Sequence, residues 1–338
     1  YANLYIQDIF EGVSANSSKK DIETMFQLLY LRFVQPRFDQ EVFNTTMQRA
    51  KESIRQRANN PANHFADSVS WITIGRHPRR KPLSESDLEK VKLETIEKIY
   101  KERFADAGDF VFFIVGSFTE NEIKPFVEQY IASLPGLNSK EKWKDLGIKV
   151  PKGKTVVDFT QPMLTPKASA RVRYSGSTKY ELNEIMNMLA IREILRNRYL
   201  ETIRKEYGAT YGVGVGMNSY AAPNYNYTLD MSFDTDPKLA DKMIHVIYDE
   251  IDKLLKDGPD PETIENAKKY WLKTFKDNHK ENGWYLNLLV EYYKNGIDRY
   301  TDYEKVVNGI TTQSVHKAAK KALTQGNVIQ VVMRPEEE

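Results

Sequence analysis

Residues 200–216 read LETIRKEYGATYGVGVG, and this stretch joins the end of a helix to the start of a strand. Arg204 precedes Tyr211 by seven residues, and Gly208 lies between them as a residue that can end a helix. A guanidinium and a phenol are both hydrogen-bond donors that can stabilise negative charge. On spacing alone, however, an arginine in the last turn of a helix and a tyrosine at a strand start are also common structural features.

The strand that follows has glycine at alternate positions: Gly212, Gly214 and Gly216. One face of this strand therefore carries no side chains, and another backbone can approach it closely. The pattern fits a platform beside a bound substrate, and it fits tight packing against a helix or a bulge equally well. It does not fit a dinucleotide fingerprint, because no helix opens after the last glycine.

The composition is that of an ordinary globular protein. The 338 residues predict about two domains. A net charge of +2, from 49 basic and 47 acidic residues, gives no electrostatic footprint for nucleic acid. No apolar run approaches the roughly 18 residues that span a bilayer. The sequence contains no cysteine, which excludes disulfides, thiolate nucleophiles and thiolate metal ligands.

The histidines are too far apart along the chain to assemble a helical zinc site. No two are separated by three or four residues; they are His64, His77, His245, His279 and His316. A local metal site is therefore not expected in this sequence.

The chain resembles itself at an offset of about 220 residues. Residues 39–75 lie over residues 260–296 without a gap, with Asp39 over Asp260 and Trp71 over Tyr292. The match then continues with small length changes. Chance similarity between helical stretches is the alternative, but the order of elements also agrees, which favours a duplication.

The periodicities predict the elements of each copy. The first copy is predicted to contain a helix opened by Ser84 or Ser86 and reaching Phe104, a buried strand over 110–115, and a capping box of Thr119 with Glu122. The second copy adds strands over 155–159, 168–174, 211–218 and 225–233, a long helix over 181–206 and a helix over 238–256.

Most of the added strands have no counterpart before residue 14, so the first copy is expected to begin within a domain. We predict an α/β (α+β) fold with two homologous domains, each a mainly antiparallel sheet with helices packed on one face. The predicted domains are residues 1–148, truncated at the N-terminus, and residues 149–338, which form a complete copy.

The order of elements, the duplication and two runs of sequence resemble the M16 (pitrilysin or insulinase) family of zinc metallopeptidases. The runs are IRKEYGATYGVGV at 203–215 and VFFIVGSFTENEIKPFVEQYIASLPG at 111–136. The likeness is greatest to bacterial members made of four homologous domains. It implies that this chain is the C-terminal half, with most of the third domain and all of the fourth.

The resemblance also locates the metal. In this family zinc is held by an inverted motif, His-x-x-Glu-His, in the first domain, and this sequence contains no such motif. The family's third and fourth domains normally lack metal. Zinc is therefore expected in the intact enzyme but outside this chain, in an N-terminal half that belongs to the same polypeptide or to a partner subunit.

The resemblance implies a role for Arg204 and Tyr211. An arginine and a tyrosine at this spacing reach bound substrate from the family's last domain, so Tyr211 would bond the scissile or a neighbouring carbonyl and Arg204 the substrate backbone. We expect further substrate contacts from Gly212 and Gly214, and from Tyr220 and Tyr225, which could line a peptide chamber. The alternative for these tyrosines is a partly buried strand position.

These expectations lead to one main function and two alternatives. The chain is predicted to contribute a peptide-binding chamber and a catalytic Arg/Tyr pair to a zinc metallopeptidase, and to be inactive alone. The location is predicted to be periplasmic, with the cytoplasm as the alternative. A non-catalytic module that binds polypeptide or scaffolds a partner is the second interpretation, and an unrelated enzyme with its site near residues 212–216 is the third.

Overall fold

The computed structural model describes residues 1–137, 141–207 and 212–336, with the backbone alone at 204–207. Within these ranges the chain forms twelve α-helices and seven β-strands. In chain order they are β1 (Ala2–Ile6), β2 (Glu11–Ala15), α1 (Ile22–Val34), α2 (Gln40–Ala58), α3 (Pro61–Ile72), α4 (Glu85–Leu88), α5 (Leu93–Phe104), α6 (Glu120–Phe126), β3 (Lys154–Gln161), β4 (Ala168–Ser177), α7 (Leu182–Tyr207), β5 (Gly214–Tyr220), β6 (Asn226–Thr235), α8 (Ala240–Asp257), α9 (Pro261–Asn278), α10 (Asn282–Asn295), α11 (Tyr303–Asn308), α12 (Thr312–Leu323) and β7 (Asn327–Pro335).

The chain forms two compact units. The first comprises residues 1–57 and 83–146, and the second comprises residues 58–82 and 147–338. Helix α3 therefore belongs to the second unit although it precedes much of the first in sequence. The boundary near residue 148 between two homologous domains stays a prediction, because compactness is a different property from homology.

The first unit packs its helices around aromatic side chains beside the antiparallel pair β1–β2. The apolar stripe of α1 buries Phe26, Leu29 and Phe33, as its helical spacing predicts. Helix α6 begins at the expected capping box, in which the Glu122 backbone N–H donates to Thr119 and the Thr119 N–H donates to the Glu122 carboxylate.

The second unit is built on a five-stranded sheet of order β3-β7-β4-β6-β5. Strand β3 is parallel to β7, and the other neighbours are antiparallel. The predicted α/β class with a mainly antiparallel sheet is therefore confirmed. Strand β5 is the last strand of this sheet in the described chain, which leaves one side of it without a hydrogen-bonded neighbour there.

One face of this sheet holds the main core. Helices α7, α8 and α12 cover it, and their buried side chains pack against alternate residues of the strands. Among the strand residues of this core are Ala170, Val172, Leu229 and Met231. The remaining residues of the same strands point to the opposite face.

Helix α3 packs on that opposite face. Its buried Val69 and Ile72 form a cluster with Ile329 and Val331 of β7, whereas Val332 of the same strand lies in the main core. Because neighbouring residues of a strand face opposite ways, α3 and the other three helices lie on different sides of the sheet. The prediction placed helices on one face of the sheet, and in this unit α3 also packs on the other face.

Two predicted elements of the first unit are wrong in detail. Residues 110–115 form no strand, and no strand of the described chain pairs with them; the rings of Phe110 and Phe112 pack against Phe33 instead. The helix expected from Ser84 to Phe104 is divided into α4 and α5. Ser84 caps only the first of these, through its bonds with Asp87.

The helices support the internal duplication. Helices α2, α3, α4 and α5 follow one another as α9, α10, α11 and α12 do, about 220 residues later. Asp39 and Asp260 occupy matching positions, and each accepts backbone N–H groups in the first turn of its helix.

None of the described helices is long and apolar enough to cross a bilayer.

Candidate functional site

The predicted catalytic pair lies at the edge of the described chain. Helix α7 ends at Tyr207, so the backbone of Arg204 is in its last turn, but the side chain of Arg204 lies outside the described residues. Tyr211 lies outside them altogether. The expected contact of these two side chains with a substrate therefore stays a prediction.

The turns of α7 just before Arg204 are anchored to α8 and the residue that follows it. The buried Tyr199 hydroxyl donates to the Ile247 carbonyl at 3.1 Å, and Arg198 Nη2 donates to the Gly258 carbonyl at 2.8 Å. Burial raises the pKa of Tyr199 well above its ordinary value, so the phenol stays neutral and keeps donating. These bonds fix the orientation of the last turns of α7, where the backbone of Arg204 lies.

A buried carboxylate adds to this anchor. Glu250 on α8 is buried, and its Oε1 accepts from the Thr202 hydroxyl at 2.9 Å and from Lys253 Nζ at 2.7 Å. The charge is therefore both paired and hydrogen-bonded, as a buried carboxylate requires. Its role is to hold α7 two residues before Arg204.

Strand β5 places its glycines on the face opposite the main core. Val215 and Met217 pack against the core, so Gly214 and Gly216 point to the other side. A Cβ at Gly214 would lie 3.4 Å from the Ser232 Oγ, and one at Gly216 would lie 3.9 Å from the Asp230 Cβ. These are ordinary contacts with the next strand. Tight packing against a helix therefore does not explain the two glycines.

We call this side of β4, β5 and β6 the polar face. It consists of the residues that alternate with the core positions of the three strands. On β5 they are Gly214, Gly216, Asn218 and Tyr220, on β6 Thr228, Asp230, Ser232 and Asp234, and on β4 Ser169, Arg171, Arg173 and Ser175.

Ion pairs organise much of the polar face. Arg173 Nε donates to Asp230 Oδ1 at 2.7 Å, and Asp230 is only 9% exposed. Towards the start of β4, Asp234 accepts from Lys167 and from the Ser169 hydroxyl. Burial opposes ionisation of Asp234, but these two hydrogen bonds prevail and lower its pKa. Both carboxylates thus have a hydrogen-bonded cationic partner on or next to β4.

The other predicted substrate-binding residues lie near one another along β5. Gly212 comes just before the strand, and nothing described lies within 4 Å of a Cβ placed on it. Tyr220 ends the strand on the polar face and is 44% exposed, while Tyr225 follows the turn and is 62% exposed. The expectation that these tyrosines are partly buried in strands therefore fits Tyr220 better than Tyr225. Contact of any of them with substrate stays a prediction.

The charged residues of the polar face are functional candidates that were not predicted from the sequence. Their signal was available, because Arg171 and Arg173 alternate with apolar residues in ASARVRYS at 168–175. Asp230 and Asp234 alternate in the same way in the strand β6. Only the register of the sheet shows that these charges lie beside the glycines of β5.

No cluster of three or more histidine, aspartate or glutamate residues suited to a metal ion occurs in the described part of the chain. Two of the histidines are bound to main-chain carbonyls: His245 Nδ1 lies 2.7 Å from the Asp241 oxygen, and His316 Nε2 lies 2.9 Å from the Leu255 oxygen. What the polar face offers chemically is hydrogen-bond donors and acceptors.

Comparison with known proteins defines the class to which this fold and site belong. The family described as the Peptidase M16 inactive domain matches residues 90–270, more than half of the chain. The chain therefore belongs to the M16 peptidase family, as a domain of its inactive type. The predicted resemblance is confirmed.

Individual relatives are similar over most of this chain. The zinc protease PQQL-like of Arabidopsis thaliana is 25% identical over 295 residues, which cover 82% of this chain and 30% of that protein. The periplasmic protease PqqL from Escherichia coli has a TM-score of 0.86 at 16% identity, over 99% of this chain and 37% of that one. The peptidase M16 inactive domain from Pseudomonas fluorescens has a TM-score of 0.77 at 17% identity, and the match covers 100% of this chain and 81% of that one.

This chain thus spans about a third of the length of the Arabidopsis thaliana zinc protease and of the E. coli periplasmic protease. The solved structures, at this low identity, establish the fold alone.

Proposed function

We propose that this chain is the C-terminal, non-zinc half of an M16-like zinc metallopeptidase and that it binds polypeptide substrate beside β5. The observation that carries the proposal is the position of β5. It directly follows residues 204–211, it forms the end of the sheet in the described chain, and it presents Gly214 and Gly216 beside a row of polar side chains. A backbone can lie against such a surface without meeting a bulky side chain.

Peptide hydrolysis requires stabilisation of the negative charge that develops on the scissile carbonyl oxygen. In the intact enzyme, zinc held outside this chain would polarise that carbonyl and activate water. Tyr211 would donate its hydroxyl proton to the scissile or neighbouring carbonyl, and Arg204 would bind the substrate backbone. The anchoring of α7 by Tyr199 and Thr202 supports this role, because donors must be held in place before the charge develops.

The proposal requires a partner, since neither donor can hydrolyse a peptide without the metal. We propose that the partner is an N-terminal zinc-binding half, in the same polypeptide or in a separate subunit, and that the substrate is a peptide or an unfolded polypeptide. The E. coli neighbour is a periplasmic protease, which supports a periplasmic location for this protein.

A second function has support of its own. The matched family is described as inactive, so the chain can equally belong to a non-catalytic module that binds polypeptide or scaffolds a partner subunit. The sequence upstream of this chain, or a neighbouring gene, distinguishes the two functions. A His-x-x-Glu-His motif there supports the peptidase, and its absence supports the binding module.

The experiment that tests the peptidase role compares Tyr211→Phe and Arg204→Ala with the unchanged intact protein. Loss of either donor should lower kcat/KM for a peptide by at least about tenfold while zinc content stays the same, because the metal site is elsewhere. Tyr270→Phe and Arg196→Ala serve as matched controls, since both side chains are exposed and lie on other parts of the helices. Unchanged hydrolysis in both test variants would show that the assigned role is wrong.

A further inference from the structure

Two arginines lie next to each other on the polar face, and their surroundings differ. Arg173 bonds Asp230 at 2.7 Å, but Arg171 Nε stays 4.0 Å from the same carboxylate oxygen, beyond hydrogen-bond distance. Arg171 Nε is also buried, and among the described residues it has no hydrogen-bond partner. An unmet buried donor on a charged group costs free energy, so an acceptor that reached this nitrogen would be favoured.

The space beside Arg171 is lined by small residues. In the register of the sheet, Arg171 lies opposite Ser232, and Ser232 lies opposite Gly214 on the end strand β5. Among the described residues, a Cβ at Gly214 would meet only Ser232 within 4 Å. The positions between Arg171 and the end of the sheet on this side are therefore occupied by a serine and a glycine, which leave room above them for a polypeptide segment.

Two more polar groups of the same face lack partners. Ser175 is 4% exposed and Thr228 is 7% exposed, and they are opposite each other in register. Neither hydroxyl has a hydrogen-bond partner in the described part of the chain. Buried hydroxyls are normally bonded to protein or water. Within the described ranges, the polar face thus has three buried polar atoms without partners: Arg171 Nε, Ser175 Oγ and Thr228 Oγ1.

We propose that Arg171 forms a subsite on the polar face that binds a carboxylate of the polypeptide substrate. A guanidinium has a planar set of donors that matches a carboxylate in a two-bond arrangement. Asp230 does not fill this role in the described structure, because its Oδ1 lies 4.0 Å from Arg171 Nε, beyond hydrogen-bond distance. The carboxylate comes from an aspartate or glutamate side chain or from the C-terminus of the peptide. The inference rests on the proposed function, because it assigns a sequence preference to the same surface.

The test measures binding of labelled peptides to the 338-residue chain by fluorescence anisotropy. One peptide has a single glutamate, a second has glutamine at that position, and both have an amidated C-terminus. A third has glutamine and a free C-terminal carboxylate. We expect the unchanged chain to bind at least one carboxylate peptide about tenfold more tightly than the neutral one. The first and third peptides, each compared with the neutral second peptide, show whether the side chain or the terminus is bound.

Arg171→Gln should abolish this preference and leave the affinity for the neutral peptide within about twofold, because the rest of the surface is unchanged. Arg171→Glu should reverse the preference, so that a peptide with lysine in place of glutamate binds better. Lys167→Gln is the matched control, since Lys167 lies at the far end of the face and pairs with Asp234. The control should retain the preference for carboxylate.

The results separate this inference from the proposed function. A neutral peptide that binds, together with a carboxylate preference that survives Arg171→Gln, would overturn the Arg171 subsite and leave polypeptide binding intact. Failure of all peptides to bind the folded chain would contradict both. The fold of each variant is checked by its unfolding midpoint, which should be unchanged for Arg171→Gln because this side chain makes no hydrogen bond in the described structure.

Discussion

At the scale of single residues, the polar face depends on which charges are paired. Asp230 is nearly buried, and Arg173 is its hydrogen-bonded partner, whereas Arg171 on the same strand stays at 4.0 Å. A buried carboxylate without its partner keeps the cost of leaving water and loses the compensating bond. The two arginines are therefore expected to differ in what they contribute to stability.

Arg173→Gln should lower the free energy of unfolding by about 1–3 kcal/mol, because it leaves the Asp230 carboxylate without its charged donor. Urea unfolding followed by circular dichroism measures the change. Arg196→Gln is the control. Arg196 is well exposed, and its ion pair with Glu193 at 3.5 Å is on the surface, so its loss should lower the free energy of unfolding by less than about 0.5 kcal/mol. Equal effects from the two substitutions would contradict the distinction.

At the scale of elements, the C-terminal part of α7 is held more firmly than helix propensity alone provides. Tyr199, Arg198 and Thr202 each bond to α8 or to the residue after it. These bonds occur within the two turns before Arg204. The pairing of α7 with α8 thus determines where the last turn of α7 lies.

Thr202→Val should destabilise the protein by about 1 kcal/mol, since the shape is retained while Glu250 loses one of its hydrogen bonds. In the intact protein it should also lower peptidase activity, because the anchor two residues before Arg204 is weakened. Thr202→Ser keeps the hydroxyl and is the matched control, measured for both unfolding and hydrolysis. An activity loss in the serine variant equal to that in the valine variant would argue against a role for this hydrogen bond.

At the scale of the whole molecule, the chain supplies a surface and donors but no recognisable metal motif. Its sequence contains no His-x-x-Glu-His, and it spans about a third of the length of the zinc proteases that it resembles. Activity is therefore expected to require the remainder of the enzyme. Under the proposed function, the donors of this half would act only on a carbonyl held against the metal of the other half.

Zinc content and peptidase activity should both appear in the protein that includes the N-terminal half and be absent from this chain alone. Metal analysis after dialysis, paired with hydrolysis of a quenched fluorescent peptide, checks both quantities on the same samples. Addition of the separate zinc-binding half to this chain should restore hydrolysis if the two halves assemble. Hydrolysis by this chain alone, free of contaminating protease, would contradict the division of roles.

Much of the fold could be predicted because short patterns of residue type indicate its helices and strands. The stripe of α1, the cap formed by Thr119 and Glu122, and the alternation in β4 are each readable within a few residues. Residues 110–115 could not be assigned in this way, since an apolar run becomes a strand only when another strand pairs with it. The apolar character of these residues is visible in the sequence, but whether a strand pairs with them depends on residues far away in the chain.

The sequence by itself determined the family, most of the order of the elements and the candidate donors Arg204 and Tyr211, because these depend on residue type and spacing. Tertiary structure alone decided that α3 packs with the second unit and that Arg171 faces Gly214 across Ser232. The physical reason is that strand register and helix packing join residues that are far apart in sequence. The charge of an arginine follows from the sequence, but whether it has an ion-pair or hydrogen-bond partner depends on which strands become neighbours.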